Sequence, residues 1–185
     1  RLFEILNIFE KNKNIEFTIE CNFSNIDKEK LELFKKHGVN RLSFGLETTC
    51  KKQLDFLERR EDLDNTRNII ELAKNMGFNN INVDLMYALP GEEIKNLKKD
   101  LEFIYSLNIE HVSCYSLIIE EHTKLGIKNI ENINEELDYE MYNVICDFMR
   151  DHGYKHYEIS NFSKEGYHSR HNLVYWNNLE YYGFG

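Results

Sequence analysis

Apolar residues recur at helical spacing in five stretches of the chain: Leu2, Ile5 and Phe9; Leu31 and Phe34; Ile69, Leu72, Ala73 and Met76; Ile94, Leu97, Leu101 and Ile104; and Leu137, Met141, Val144, Ile145 and Phe148. Each stretch predicts an amphipathic helix with one face on a core. Several end in Gly or Asn, followed by an apolar residue and a short β-prone run: Gly38-Val39, Gly77-Phe78, Asn108-Ile109 and Gly153-Tyr154. Strands are therefore expected near Glu16–Glu20, Arg41–Gly45, Ile81–Leu85, His111–Ser116 and Tyr154–Ile159. A helix-then-strand unit recurring every roughly 30–45 residues has the span of a strand with its crossover helix. Right-handed crossovers lay such strands parallel, so the pattern predicts an α/β fold. Five parallel strands fit either an open doubly wound sheet or an arc of a TIM-type (βα) barrel. Helical periodicity stops near Ser160, which divides the chain into residues 1–160 and an aromatic-rich segment, 161–185.

Composition narrows the partners. The 185 residues are 42% hydrophobic, enough for one sizeable core. With 23 Lys+Arg against 32 Asp+Glu, the net charge of -9 argues against nucleic acid and anionic membranes, whose binding rests on neutralising phosphates. No apolar run approaches the ~20 residues of a membrane span. Arg1-Leu2-Phe3-Glu4-Ile5 lacks the layout of a signal peptide, so a cytoplasmic location is expected. Cys21, Cys50, Cys114 and Cys146 lie far apart and form no CxxC or CxxxCxxC group. Cys50 opens a helix, but a thiol without a basic partner is a weak nucleophile, and no catalytic role is given to it.

Polar groups fall at the strand ends. Glu20 closes the first strand, Glu47 follows the second, and Asp84 stands near the end of the third; Ser116 and Glu158 end the fourth and fifth. Parallel strands would bring these side chains to one rim, the rim where ligands bind in barrels and open α/β sheets. Arg59, between the second strand and the next helix, is placed to reach the same rim as a planar donor to a carboxylate. Mutual pairing of these acids with Arg59 accounts for the spacing equally well.

The segments Ile19-Glu20-Cys21-Asn22, Gly38-Val39-Asn40-Arg41-Leu42-Ser43-Phe44-Gly45, Asn82-Val83-Asp84-Leu85-Met86-Tyr87-Ala88-Leu89-Pro90-Gly91, Tyr115-Ser116-Leu117, Tyr157-Glu158-Ile159-Ser160-Asn161-Phe162 and Ser169-Arg170-His171-Asn172-Leu173-Val174-Tyr175-Trp176 resemble, in order, the HemW and oxygen-independent coproporphyrinogen III oxidase group of radical S-adenosylmethionine (SAM) proteins. The resemblance implies a partial TIM-type barrel over 1–160, a radical SAM core without its first βα units, that binds SAM against a 4Fe–4S cluster. It assigns Glu20 to the SAM ribose, Arg59 to its carboxylate, and Glu47 and Asp84 to the lining of the same site. The family's CxxxCxxC cluster motif is expected upstream of Arg1, so this portion alone is expected to be inactive in radical chemistry. Four positions depart from the family pattern: Glu47 replaces a usual Gln, Glu58 and Ala88 usual glycines, and Glu61 a usual His.

Two functions follow from the resemblance, a haem chaperone delivering haem to acceptor proteins and an oxidase decarboxylating coproporphyrinogen III. His171-Asn172-Leu173-Val174-Tyr175-Trp176 matches the HNxxYW motif of the HemW type and favours the chaperone. A neutral imidazole at His171 is suited to ligate haem iron, Tyr175 and Trp176 to pack on the macrocycle, and Arg170 to pair with a propionate. His168 is an alternative ligand, whereas His37, His111, His122, His152 and His156 read as surface or cap residues. The open strand edges of a partial barrel also suit pairing with a second copy as a homodimer.

Overall fold

A computed structural model of the protein describes residues 3–4, 14–120, 122–127, 130 and 133–183. Of the helix expected around Leu2, Ile5 and Phe9, all but Phe3 and Glu4 lies outside the described residues. The first four strands are β1 (Thr18–Asn22), β2 (Arg41–Glu47), β3 (Ile81–Tyr87) and β4 (His111–Ser116). They pair in parallel in that order, with Glu20 opposite Ser43 and Gly45 opposite Asp84. Between and after them run α1 (Lys28–Lys36), α2 (Lys51–Phe56), α3 (Leu63–Asn75), α4 (Ile94–Ser106), the short α5 (Lys124–Ile127) and α6 (Glu135–Asp151).

The helix boundaries follow the local chemistry. Asp27, Asp62 and Asn134 cap the starts of α1, α3 and α6 by accepting backbone N–H groups. The stops fall at left-handed residues, Gly38, Gly77 and Gly153 with φ of 82–85° and Asn108 with φ 48°, as the helix-then-strand pattern requires.

Side-chain alternation splits the sheet into two chemically different faces. Leu42, Phe44 and Leu46 of β2, Ile81, Val83 and Leu85 of β3, and Val112 and Cys114 of β4 are buried in the core under the helices. The opposite face carries Thr18, Glu20, Arg41, Ser43, Asn82, Asp84, Ser113 and Tyr115, which wall a cavity. This is the inner face of a partial barrel, and it is polar where most barrel interiors are apolar.

The sheet differs from five adjacent parallel strands at its last edge. A three-residue strand, β6 (Asn161–Ser163), lies between β4 and β5 (Lys155–Glu158) and pairs antiparallel with both. The chain turns back after β5 as a hairpin, so no crossover helix separates these two strands. The sheet thus runs on into the aromatic-rich segment, which ends in α7 (Arg170–Trp176).

Candidate functional site

Glu20 at the centre of β1, Asp84 at the centre of β3 and Glu47 at the end of β2 meet at one mouth, a hollow of about 270 Å³ that Arg59, Asn22, Cys21, Ser43 and Gly45 complete. Four of the six residues expected at the rim, Glu20, Glu47, Arg59 and Asp84, are therefore together, without Ser116 and Glu158. Arg59 Nη2 donates to Glu47 Oε1 at 2.9 Å and its Nη1 to Asn22 Oδ1 at 3.0 Å. Burial raises the pKa of Glu47; Arg59 pulls it down and Asp84 pushes it up again. Asp84 is likewise raised, chiefly by burial, while hydrogen bonds from Asn82 and Ser113 oppose the shift.

A buried carboxylate on α4 holds the loop that carries Glu47. Asp100 accepts from Thr48 Oγ1 at 2.7 Å, from the Thr49 backbone N at 2.9 Å and from the Thr49 hydroxyl. Glu47 itself has φ 66°, a strained conformation that this clamp maintains. Asp100 was not anticipated, although an acid among Leu97, Leu101 and Ile104 on an apolar helix face is a visible signal.

Below the rim, a chain of hydrogen bonds crosses the inner face. The Asn82 amide donates to Ser43 Oγ at 2.7 Å and to Asp84 Oδ1 at 2.8 Å. Its Oδ1 faces His111 Nδ1 at 2.6 Å, and His111 Nε2 meets Tyr157 Oη at 2.7 Å. Tyr157 Oη in turn accepts from the Ser169 backbone N at 3.2 Å. Nδ1 must donate to the Asn82 oxygen, and with the buried ring neutral, Nε2 accepts from Tyr157. Burial, aided by Arg41 and then His168, drives its pKa down to about 3.

The structure corrects three expectations. His111 is a fully buried member of the inner network, not a surface or cap residue, because the first position of β4 faces inward. Ser116 faces outward and donates to Asp138 of α6 at 3.0 Å, since it shares the parity of buried Cys114. Glu158 lines neither cavity and instead accepts from the Ser160 N in its own hairpin at 3.3 Å. Arg170, exposed beside His171, donates to the Asn14 carbonyl and borders a neighbouring hollow with His168.

Helix α7 places the His171 motif. Ser169 caps it by accepting from Asn172 N, and the Glu16 carboxylate accepts from Arg170 N at 3.1 Å and His171 N at 3.2 Å. His171 and Asn172 thereby border the inner cavity of about 470 Å³, at the end opposite Glu47 and Arg59. Tyr175 stacks edge-on to His171 with ring centroids 5.0 Å apart and is 47% exposed; Trp176 is 54% exposed. The aromatic pair thus packs against no core. His168 stacks on Tyr157 at 4.5 Å, and its Nε2 is buried without a hydrogen-bond partner among the described residues.

Residues 1–104 match the radical SAM superfamily. The chain belongs to that superfamily. It is similar to the heme chaperone HemW of Bacillus subtilis (strain 168), 41% identical over 174 residues that cover 92% of this chain and 46% of the relative. The heme chaperone HemW of Lactococcus lactis is 37% identical over 174 residues, again 92% of this chain and 46% of the relative. The chain thus spans under half the length of these relatives. Among solved structures, coproporphyrinogen III oxidase (HemN) from Escherichia coli superposes with a TM-score of 0.82 over 95% of this chain and 41% of that one, at 20% identity. That likeness establishes the partial radical SAM barrel fold.

Superfamily membership implies SAM and a 4Fe–4S cluster as cofactors. No group of three His, Cys, Asp or Glu able to hold a metal occurs among the described residues. Burial raises the Cys21 thiol to about 11 and pushes Cys114 higher still, and the four cysteines lie apart in the chain without a cluster motif. The cluster does not fit this portion, and no step is derived through it. The rim does fit SAM, whose sulfonium and ammonium suit carboxylates and whose carboxylate suits a guanidinium. No described helix is long and apolar enough to cross a membrane.

Proposed function

We propose that the chain is the barrel portion of a cytoplasmic haem chaperone with a SAM site at the carboxyl rim and a haem site at α7. The observation that carries the haem reading is the position of His171. Its backbone is fixed by Glu16, it borders the inner cavity, and Tyr175 and Trp176 beside it are left exposed for a flat apolar ligand. His171 supplies the iron ligand; the two aromatic faces cover the macrocycle. The relatives named heme chaperones reach 41% identity, whereas the oxidase is related through fold at 20%, which favours carriage over decarboxylation. Haem-acceptor proteins are the partners of such a carrier, and the edge of β1 is suited to a second copy.

At the rim, Glu20 accepts the ribose hydroxyls, Arg59 takes the SAM carboxylate, and Glu47 and Asp84 line the cationic part of the ligand. The haem reading is tested by titrating haem into the full-length protein and following the Soret band. His171→Ala is expected to remove most of the band shift while leaving SAM affinity intact. An unchanged titration would refute ligation by His171.

A further inference from the structure

Arg41 opens β2 with its side chain on the inner face, 5% exposed, in the wall of the cavity that His171 borders. Its Nε is buried without a hydrogen-bond partner, and no ion pair holds it among the described residues. A guanidinium stays charged at any physiological pH, so a buried one without a partner is costly unless a ligand supplies the counter-charge. Of the cavity's carboxylates, Glu16, Glu20 and Asp84, none forms an ion pair with Arg41 among the described residues. Both oxygens of Glu16 are taken by the Arg170 and His171 N–H groups. Asp84 feels the charge of Arg41 across the cavity but forms no ion pair with it among the described residues, and it accepts from Asn82. Arg59 serves the rim, so the interior has a second, separate cationic position.

We propose that Arg41 anchors a carboxylate of the bound tetrapyrrole inside the barrel, an inference that rests on the haem reading and assigns the acidic edge of the ligand to this cavity. With His171 on the iron, one propionate points inward. Ser43, Ser113 and Asn172 on the same wall offer further polar contacts. Arg170, turned to Asn14, does not compete for this task.

The test compares haem with haem dimethyl ester, which keeps iron and ring but has no free carboxylate, in the full-length protein. Wild type is expected to bind haem at least about tenfold more tightly than the ester, the range of a hydrogen-bonded charge. Arg41→Met should bring haem down to the level of the ester, and Arg41→Lys should recover part of the difference. Equal wild-type affinity for acid and ester overturns the anchor and leaves the haem reading standing. Absence of a Soret change with either porphyrin overturns both. A SAM carboxylate is the other source of the same chemistry, and calorimetry separates it: SAM affinity is expected to be unchanged in Arg41→Met, whereas its selective loss with haem binding intact would overturn the proposal. The acid–ester comparison is made in wild type and does not depend on how any variant folds.

Discussion

Arg59 and Glu47 form an ion pair at the mouth of the barrel, with Nη2 2.9 Å from Oε1 and the Glu47 side chain the more buried of the two. A ligand carboxylate entering this mouth competes with Glu47 for the same guanidinium face. Arg59→Ala is therefore expected to weaken SAM binding about tenfold or more, and Glu47→Gln, which frees the fork from a charged competitor, to tighten it. Calorimetry on the full-length protein checks both; a tighter Arg59→Ala would refute the assignment.

Glu92 is predicted to make stability depend on pH. Its Oε2 accepts from Leu89 N at 3.0 Å, its Oε1 is buried without a hydrogen-bond partner among the described residues, and burial raises its pKa to about 7. A carboxyl whose folded pKa lies above its ordinary 4.5 favours the fold when protonated, and that contribution is lost as pH climbs through about 7. Glu92→Gln should match wild type near pH 4 and exceed it by about 1–3 kcal/mol at pH 8 in denaturant melts.

His111 titrates in the opposite sense. Its pKa is held down to about 3, so the stability it contributes is complete above its ordinary 6.5 and is lost as pH falls toward 3. His111→Ala leaves both Asn82 Oδ1 and Tyr157 Oη without their central partner and is expected to cost about 2–4 kcal/mol at neutral pH. Urea unfolding at pH 7 measures the loss.

Two departures from the family pattern predict stabilising changes. Glu58 and Ala88 stand where glycine is usual, and their φ values are 56° and 62°, in the left-handed region. Glu58→Gly and Ala88→Gly each relieve that strain at the cost of a more flexible unfolded chain, for a net gain of about 0.5–1 kcal/mol. Thermal melts of the single variants should rise, and a fall in both would show that the strain is absent.

The parallel strands and the rim were legible because helix stops at Gly38, Gly77, Asn108 and Gly153 mark where each strand begins. Glu20, Glu47, Arg59 and Asp84 followed from those boundaries. β6 escaped because three residues are too few for an alternation to register. α7 escaped because none of its residues is buried, so it carries no apolar stripe. Ser116 was read by its place at a strand end when parity with Cys114 decides its side. His111 and Arg41 are polar residues opening strands, and sequence alone does not separate a buried one from an exposed one.

Glu16, two residues before β1, and Glu20, at the centre of that strand, sit four residues apart, one clasping the backbone of His171 and the other facing the rim. Extended backbone scarcely stretches, so this stretch works as a spacer of fixed length between the two proposed ligand positions. Lengthening or shortening it by a single residue would turn Glu20 to the helical side while Glu16 kept its grip. The interval between the proposed nucleoside and iron positions is therefore written into the count of residues from Glu16 to Glu20.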